Sequence, residues 1–218
     1  MSDEDFKLMP CEPPASAEGT VLLVDDDAAL RSALRNVLDM RGYDVLEADC
    51  RKSALEVLGK KEHIGVIILD LGMPPAVHST EEGLAVIRAT SELMHPAKII
   101  VLTGQDEEQS ALEAIREGAF DFLSKPARAE DIVQAVKRAF LFHRNDQAMA
   151  AEGMTRLQLN AKVADGLKAV REEAEEKLVR QVLKDTGFNV YQSAARLGLK
   201  RESIYYFLKK FEIKRDDS

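Results

Sequence analysis

The sequence predicts an α/β fold, a doubly wound five-stranded parallel sheet followed by a small all-α domain, and three observations carry that expectation. Apolar runs of strand length alternate five times with segments of helical periodicity, the signature of strands joined by crossover helices. The runs are almost continuously apolar, as strands buried on both faces must be. Beyond residue 143 only helical patterns and glycine turns remain.

The elements follow in order. VLLVD at 21–25 leads into AALRSALRNVLDMRG, where Leu30, Leu34, Val37 and Leu38 fall at helical spacing and Gly42 is a natural stop. YDVLEA precedes SALEVLGKK, and GVIILD precedes a proline-rich loop and the helix EGLAVIRATSEL. AKIIVLT is followed by EEQSALEAIREG, and AFDFLS by AEDIVQAVKRAFLFH. The loop LGMPPAVHST at 71–80 is long for a strand-to-helix connection of about two to six residues. Its end, Ser79 with Glu82 three positions on, reads as a capping box, and Asp27 as a helix cap or first-turn acid. His78, inside the loop, reads as solvated.

Residues 1–18 read as a disordered acidic tail, 19–143 as the α/β domain, 144–172 as a linker, and 173–215 as the helical domain. In the linker, Leu159, Val163 and Leu167 keep helical intervals, so it is either solvated chain or a dimerising helix weakened by Gly153 and Gly166. No stretch resembles a signal peptide or a membrane span, which places the protein in the cytoplasm. Cys11 and Cys50 have no Cys/His ligand spacing around them and read as reduced thiols. The net charge of −8 conceals an asymmetry: from Lys177 to Arg215 ten basic residues face only Asp185, Glu202 and Glu212. An acidic body with a basic end suggests a regulatory part joined to a part that meets a polyanion.

The chemistry gathers at the strand ends. Asp25 and Asp26 follow the first run, Asp70 ends the third, Thr103 ends the fourth and Lys125 follows the fifth. In a parallel sheet all five converge on the carboxyl edge, where α/β folds bind ligands. Carboxylates suit Mg²⁺, which takes oxygen ligands at about 2.0–2.1 Å and keeps several waters. Asp26 and Asp70 are the expected direct ligands, with Asp25 close by through water and the backbone carbonyl of Gly72 completing the shell. The Asp70 carboxylate could then attack a phosphoryl group in line, with Lys125 pairing its oxygens and Thr103 donating a hydrogen bond. Gly104 leaves room for the incoming group.

Through VLLVDDD, IILDLGMP, VLTG and FDFLSKP, residues 20–143 resemble the receiver domain of two-component response regulators. The resemblance implies a flavodoxin-like fold, Asp70 as phosphoacceptor for a sensor histidine kinase, Asp25 and Asp26 as the acidic pair, and Thr103 and Phe122 as switch residues. PPAVHSTEEG after Asp70 is longer than receivers usually carry, and is similar to regulators of bacterial exopolysaccharide systems.

The basic end reads as three helices: EAEEKLVRQVLKDTG, NVYQSAARLG and KRESIYYFLKKFEI. Asn189 is the expected cap of the second, Gly198 the tight turn, and Ala194 small enough for a close crossing. In this helix-turn-helix layout Lys200, Arg201, Glu202, Ser203 and Tyr206 lie at the groove-facing start of the last helix, with Ile204, Leu208 and Phe211 in its core. Lys209, Lys210, Lys214 and Arg215 are expected at phosphates. Residues 175–213 are similar to the Fis-type helix-turn-helix, through Gly187, Asn189, Val190, Ala194, Leu197-Gly198-Leu199, the run Arg201 to Tyr205, and Leu208-Lys209-Lys210. Tyr206 and Phe207 depart from that family, which more often has basic residues there.

The function expected is a DNA-binding transcriptional response regulator controlled by aspartyl phosphorylation, working as a homodimer with Mg²⁺ as cofactor. The alternative is a protein-interaction switch whose basic end binds a protein. An ATP-driven activator is excluded within this sequence, which has no G-x-x-x-x-G-K-[ST] loop. Phosphoryl transfer to Asp70 would be stoichiometric, so no enzyme is expected.

Overall fold

The computed structural model describes residues 18–60, 63–75, 79–104, 108–157, 159 and 166–214. The expectations for residues 1–17 with Cys11, for His78, for the centre of the linker with Val163, and for Arg215 lie outside them. The chain forms two compact units, Met1–Ala148 and Met149–Ser218.

In the first unit five strands, β1 (Gly19–Val24), β2 (Tyr43–Ala48), β3 (Ile64–Asp70), β4 (Lys98–Thr103) and β5 (Asp121–Ser124), pair in parallel in the order β2-β1-β3-β4-β5. They alternate with α1 (Ala28–Asp39), α2 (Arg51–Lys60), α3 (Glu81–Glu92), α4 (Glu108–Glu117) and α5 (Ala129–Ala151). Alternate residues of β1 to β4 enter opposite cores, because successive side chains of a strand point to opposite faces; the edge strand β5 contributes only Leu123. Leu22, Val24, Ile67, Leu69 and Val101 pack with Ala54, Leu58, Leu84, Ile87 and Ala114 of α2, α3 and α4. Val21, Leu23, Val66, Ile68 and Ile100 pack with Leu34, Leu38, Val133, Val136 and Phe140 of α1 and α5. Each fully buried aliphatic side chain contributes about 1.5–3 kcal/mol of gross burial energy, so both layers hold the sheet.

The second unit carries α6 (Gly166–Asp185), α7 (Val190–Leu197) and α8 (Arg201–Lys210) around Val179, Leu183, Ala194, Ile204 and Ile213. The Asn189 side chain accepts a hydrogen bond from the Gln192 N–H and caps α7, and Gly198 ends it at φ 64°, as the sequence suggests. The buried Ala194 sits in the core between the helices.

Three sequence readings change. The capping box does not form: Thr80 is the N-cap of α3 without a side-chain bond, and the Ser79 hydroxyl accepts from the Glu81 N–H at 3.2 Å. Glu82 turns away because Arg51 of α2 lies 3.3 Å from it. The fifth helix continues past 143 to Ala151, through helix formers with no breaker before Gly153. The sixth starts at Gly166 instead of 173, its first turns joined by Arg171–Glu175 and Glu173–Lys177 pairs four residues apart.

Candidate functional site

At the carboxyl edge β1 and β3 are neighbours whose connections leave to opposite faces of the sheet, so the crevice between them opens just beyond Val24 and Asp70. Asp25 and Asp26 leave β1 there. The Asp25 N–H still continues the ladder to the Ala48 carbonyl at 3.2 Å, and its Oδ1 accepts from the Asp27 N–H at 2.9 Å. Asp27, as expected, caps α1 by accepting from the Ala29 and Leu30 N–H groups. The tight turn leaves Asp25 buried, 4% exposed, and Asp26 exposed.

Carboxylate oxygens of Asp25, Asp26 and Asp70 lie within 4.8 Å of one another. Lys125, just past β5, reaches between them: its Nζ is 2.8 Å from Asp25 Oδ2 and 3.0 Å from Asp70 Oδ2. Thr103, 1% exposed at the end of β4, is tied to the same loop, since its carbonyl accepts from the Lys125 N–H at 2.6 Å. Its hydroxyl lies 3.5 Å from the Gly104 carbonyl. Phe122 on β5 points outward, 36% exposed.

The electrostatics follow from the burial. Burial pushes the Asp70 carboxyl above its ordinary value; Lys125, by charge and hydrogen bond, and the Gly72 backbone oppose this, while the Asp25 charge adds to it. For Lys125 burial works downward, but hydrogen bonds and charges from Asp25 and Asp70 outweigh it and the ammonium is held above its ordinary value. One ammonium between two carboxylates, with a third carboxylate beside them, marks a site with an excess of negative charge.

The donor set suits Mg²⁺. Ligands about 2.0–2.1 Å from an octahedral ion stand roughly 3–4 Å apart, a separation that falls inside the 4.8 Å limit within which these oxygens lie. Hard carboxylate oxygens, one already exposed, are the donors such an ion takes.

One residue at this site went unseen in the sequence. Arg31 of α1 donates from Nη1 to the Asp25 carbonyl and from Nε to Glu47 at 3.3 Å, pinning the acidic turn to β2. Its one sequence signal is its place one helical turn after Asp27.

The residues expected at DNA separate into two groups. Lys200, Arg201, Glu202, Tyr206, Lys209 and Lys210 are exposed, whereas Ser203 is half-buried beside the buried Ile204. Lys210 lies 3.5 Å from both Glu172 and Glu175 of α6, so the helix-turn-helix fold itself engages it.

A parallel sheet with a carboxylate triad and a lysine at its carboxyl edge, in a chain that also carries a helix-turn-helix, is the layout of a signalling class of protein. Residues 21–137 match the response regulator receiver domain, and residues 170–211 match the bacterial regulatory protein, Fis family. The C4-dicarboxylate transport transcriptional regulatory protein DctD of Pseudomonas aeruginosa is 35% identical over 126 residues, 58% of this chain and 26% of that protein. The response regulator protein FleR of the same organism is 31% identical over 184 residues, 82% of this chain and 37% of that protein. A response regulator receiver domain protein from Clostridium thermocellum superposes with a TM-score of 0.53 at 27% identity, over 58% of this chain and 97% of that one. The chain belongs to the response regulator receiver family. It spans about a quarter of the length of the DctD relatives it matches. No helix among the described residues is long and apolar enough to cross a membrane.

Proposed function

We propose that this chain is a DNA-binding transcriptional regulator of a two-component system, switched by phosphorylation of Asp70 by a sensor histidine kinase in the cytoplasm. The observation that carries the proposal is the Lys125 bridge between Asp25 and Asp70 beside the exposed Asp26. A lysine that two carboxylates hold can be transferred to an incoming dianion without leaving either acid remote from a cation.

Asp70 is the nucleophile: a bond forms between its carboxylate oxygen and phosphorus as the bond from phosphorus to the donor nitrogen breaks, leaving an acyl phosphate. Mg²⁺, held by Asp26, Asp70 and the Gly72 carbonyl with Asp25 close by, would offset the negative charge that otherwise repels the donor. Lys125 moves its hydrogen bonds from the carboxylates to the new phosphoryl oxygens. The Thr103 hydroxyl donates to another of them, and Phe122 turns inward into the space this opens. Each chain accepts one phosphoryl group, so the reaction is stoichiometric.

At the other end Lys200, Arg201, Glu202, Ser203, Tyr206, Lys209 and Lys210 belong to the helix assigned to the major groove. A homodimer would set two such helices about 34–36 Å apart on a pseudopalindromic site. Coupling of about 1–3 kcal/mol between Asp70 and the dimer would suffice to change its occupancy.

The test is labelling by a small phosphodonor with Mg²⁺, followed by titration of a fluorescent genomic fragment pool at two salt concentrations. Acid-labile label on the wild type and none on Asp70→Asn is expected, with binding that weakens as salt rises. Label retained on Asp70→Asn overturns the acceptor assignment. Absence of binding at low salt, with and without phosphorylation, overturns the DNA assignment in favour of a protein partner.

A further inference from the structure

The recognition helix α8 presents two adjoining rows of exposed side chains at four-residue spacing, and the rows have different surroundings. In one row, Glu202, Tyr206 and Lys210, the last two members line a groove of ≈ 340 Å³ against α6, with Lys168, Arg171, Glu172 and Glu175. Lys210 is paired there with Glu172 and Glu175 and stands 4.8 Å over the Phe211 ring, while Tyr206 packs edge-on against Phe207. In the other row, Arg201, Tyr205 and Lys209, none of the three lines that groove; Tyr205 and Tyr206 are almost equally exposed, at 61% and 59%, so the rows differ in their charged members and in the groove. Among the described residues neither Arg201 nor Lys209 has an ion pair, in contrast to Lys210, Arg171 and Arg180.

Resting on the DNA-binding reading, we infer that the row Arg201, Tyr205, Lys209 is the face with which α8 reads the major groove, and that Tyr205 determines sequence specificity. Lys210 instead holds α8 against α6, and Tyr206 faces the groove between those two helices. The physical case is that a groove-facing side chain must be free of intramolecular partners. Arg201, at the first turn, is placed as base-reading residues of such helices are. Lys209, two turns on, is a phosphate contact. Between them Tyr205 offers a rigid ring for thymine methyl groups and a hydroxyl for a base edge. It releases no counterion, so it contributes discrimination and no salt dependence.

The experiment uses the full chain with two probes: a duplex that it selects from a random pool, and a scrambled duplex of equal length. Tyr205→Ala is expected to reduce the selected-to-scrambled affinity ratio about tenfold or more, with the slope of log affinity against log salt unchanged. Lys209→Gln should make that slope shallower by about 1 per bound protomer, and Lys210→Gln should leave it unchanged while lowering the melting temperature of the helical unit. The inference is overturned if Tyr205→Ala keeps the ratio with its helix content intact, or if Lys210→Gln flattens the slope as much as Lys209→Gln. Failure of the wild type to select any duplex at low salt would instead overturn the DNA-binding reading beneath it.

Discussion

Lys125 stands 2.8 Å from one carboxylate and 3.0 Å from another, yet burial still leaves Asp70 with a raised pKa. A carboxyl raised above its unfolded value of 3.8 favours the folded state fully at pH below that value. The favourable contribution is lost as pH rises through the folded value, so an ionised Asp70 weighs against folding at neutral pH. Asp70→Asn should therefore raise the urea midpoint at pH 7 without Mg²⁺, and the gain should vanish as pH falls towards 3.8. A lower midpoint for Asp70→Asn at pH 7 would show that the Lys125 pair outweighs burial. Lys125 keeps Asp25 as partner in that variant, so no lone buried cation confuses the comparison. The acidic residues at this edge were readable because each follows an apolar run directly. Arg31 was not, since its partners, the Asp25 carbonyl and Glu47, are brought together by the turn and by strand β2. Glu82 misled for the same reason: its ion pair with Arg51 is a tertiary contact that a local capping pattern does not reveal.

At the scale of elements, the helices against the sheet are positioned by what the strands omit. Phe140 of α5 lies over two glycines: a Cβ at Gly19 would meet its ring at 2.3 Å and one at Gly65 at 2.4 Å. Tyr43 stacks on the same ring, with centroids 5.2 Å apart, and so restricts its movement. Gly65→Ala should therefore destabilise the first unit by about 1–3 kcal/mol through overpacking, measured as a lower urea midpoint with an unchanged m-value. Gly83 has the same part in α3, where a Cβ would stand 2.5 Å from the Leu71 Cα, one residue beyond Asp70. Gly83→Ala should cost about as much and, by displacing that loop, also slow labelling of Asp70, a second readout that Gly65→Ala should not move. The central strands β1, β3 and β4 were legible to within a residue or two because burial on both faces makes them almost continuously apolar, and the edge strands β2 and β5, part exposed, followed from the alternation with helices. Helix ends were less so. The residues from Arg144 to Ala151 carry few apolar side chains but include alanines that sustain a helix, and Lys98 holds Asp146 to the end of the sheet. Tyr206 was assigned to DNA from its place in the helix-turn-helix pattern; the groove it lines is closed by Lys168, Arg171 and Glu172, which lie ahead of the residues that carry the pattern.

The whole molecule divides its stability between cores that share no residue. The first unit has two apolar layers, one on each face of its sheet, whereas the second relies on Val179, Leu183, Ala194, Ile204 and Ile213. A core of that size is small for a three-helix unit, and units of this class commonly draw on a second copy or a ligand for stability. Calorimetry of the full chain should accordingly show two transitions. The transition of the first unit should rise with Mg²⁺, by the equivalent of about 2.7 kcal/mol at a concentration a hundred times the dissociation constant. The transition of the second should ignore Mg²⁺ and rise with the selected duplex. If the proposed homodimer is held through the helical unit, that transition alone should also climb as protein concentration is raised a hundredfold, because association stabilises by mass action. A second transition independent of concentration would remove the dimer from the proposal while leaving phosphorylation and DNA binding in place. A single cooperative transition that Mg²⁺ shifts as a whole would show that occupancy of the acidic site already stabilises the helical unit before any phosphoryl group arrives.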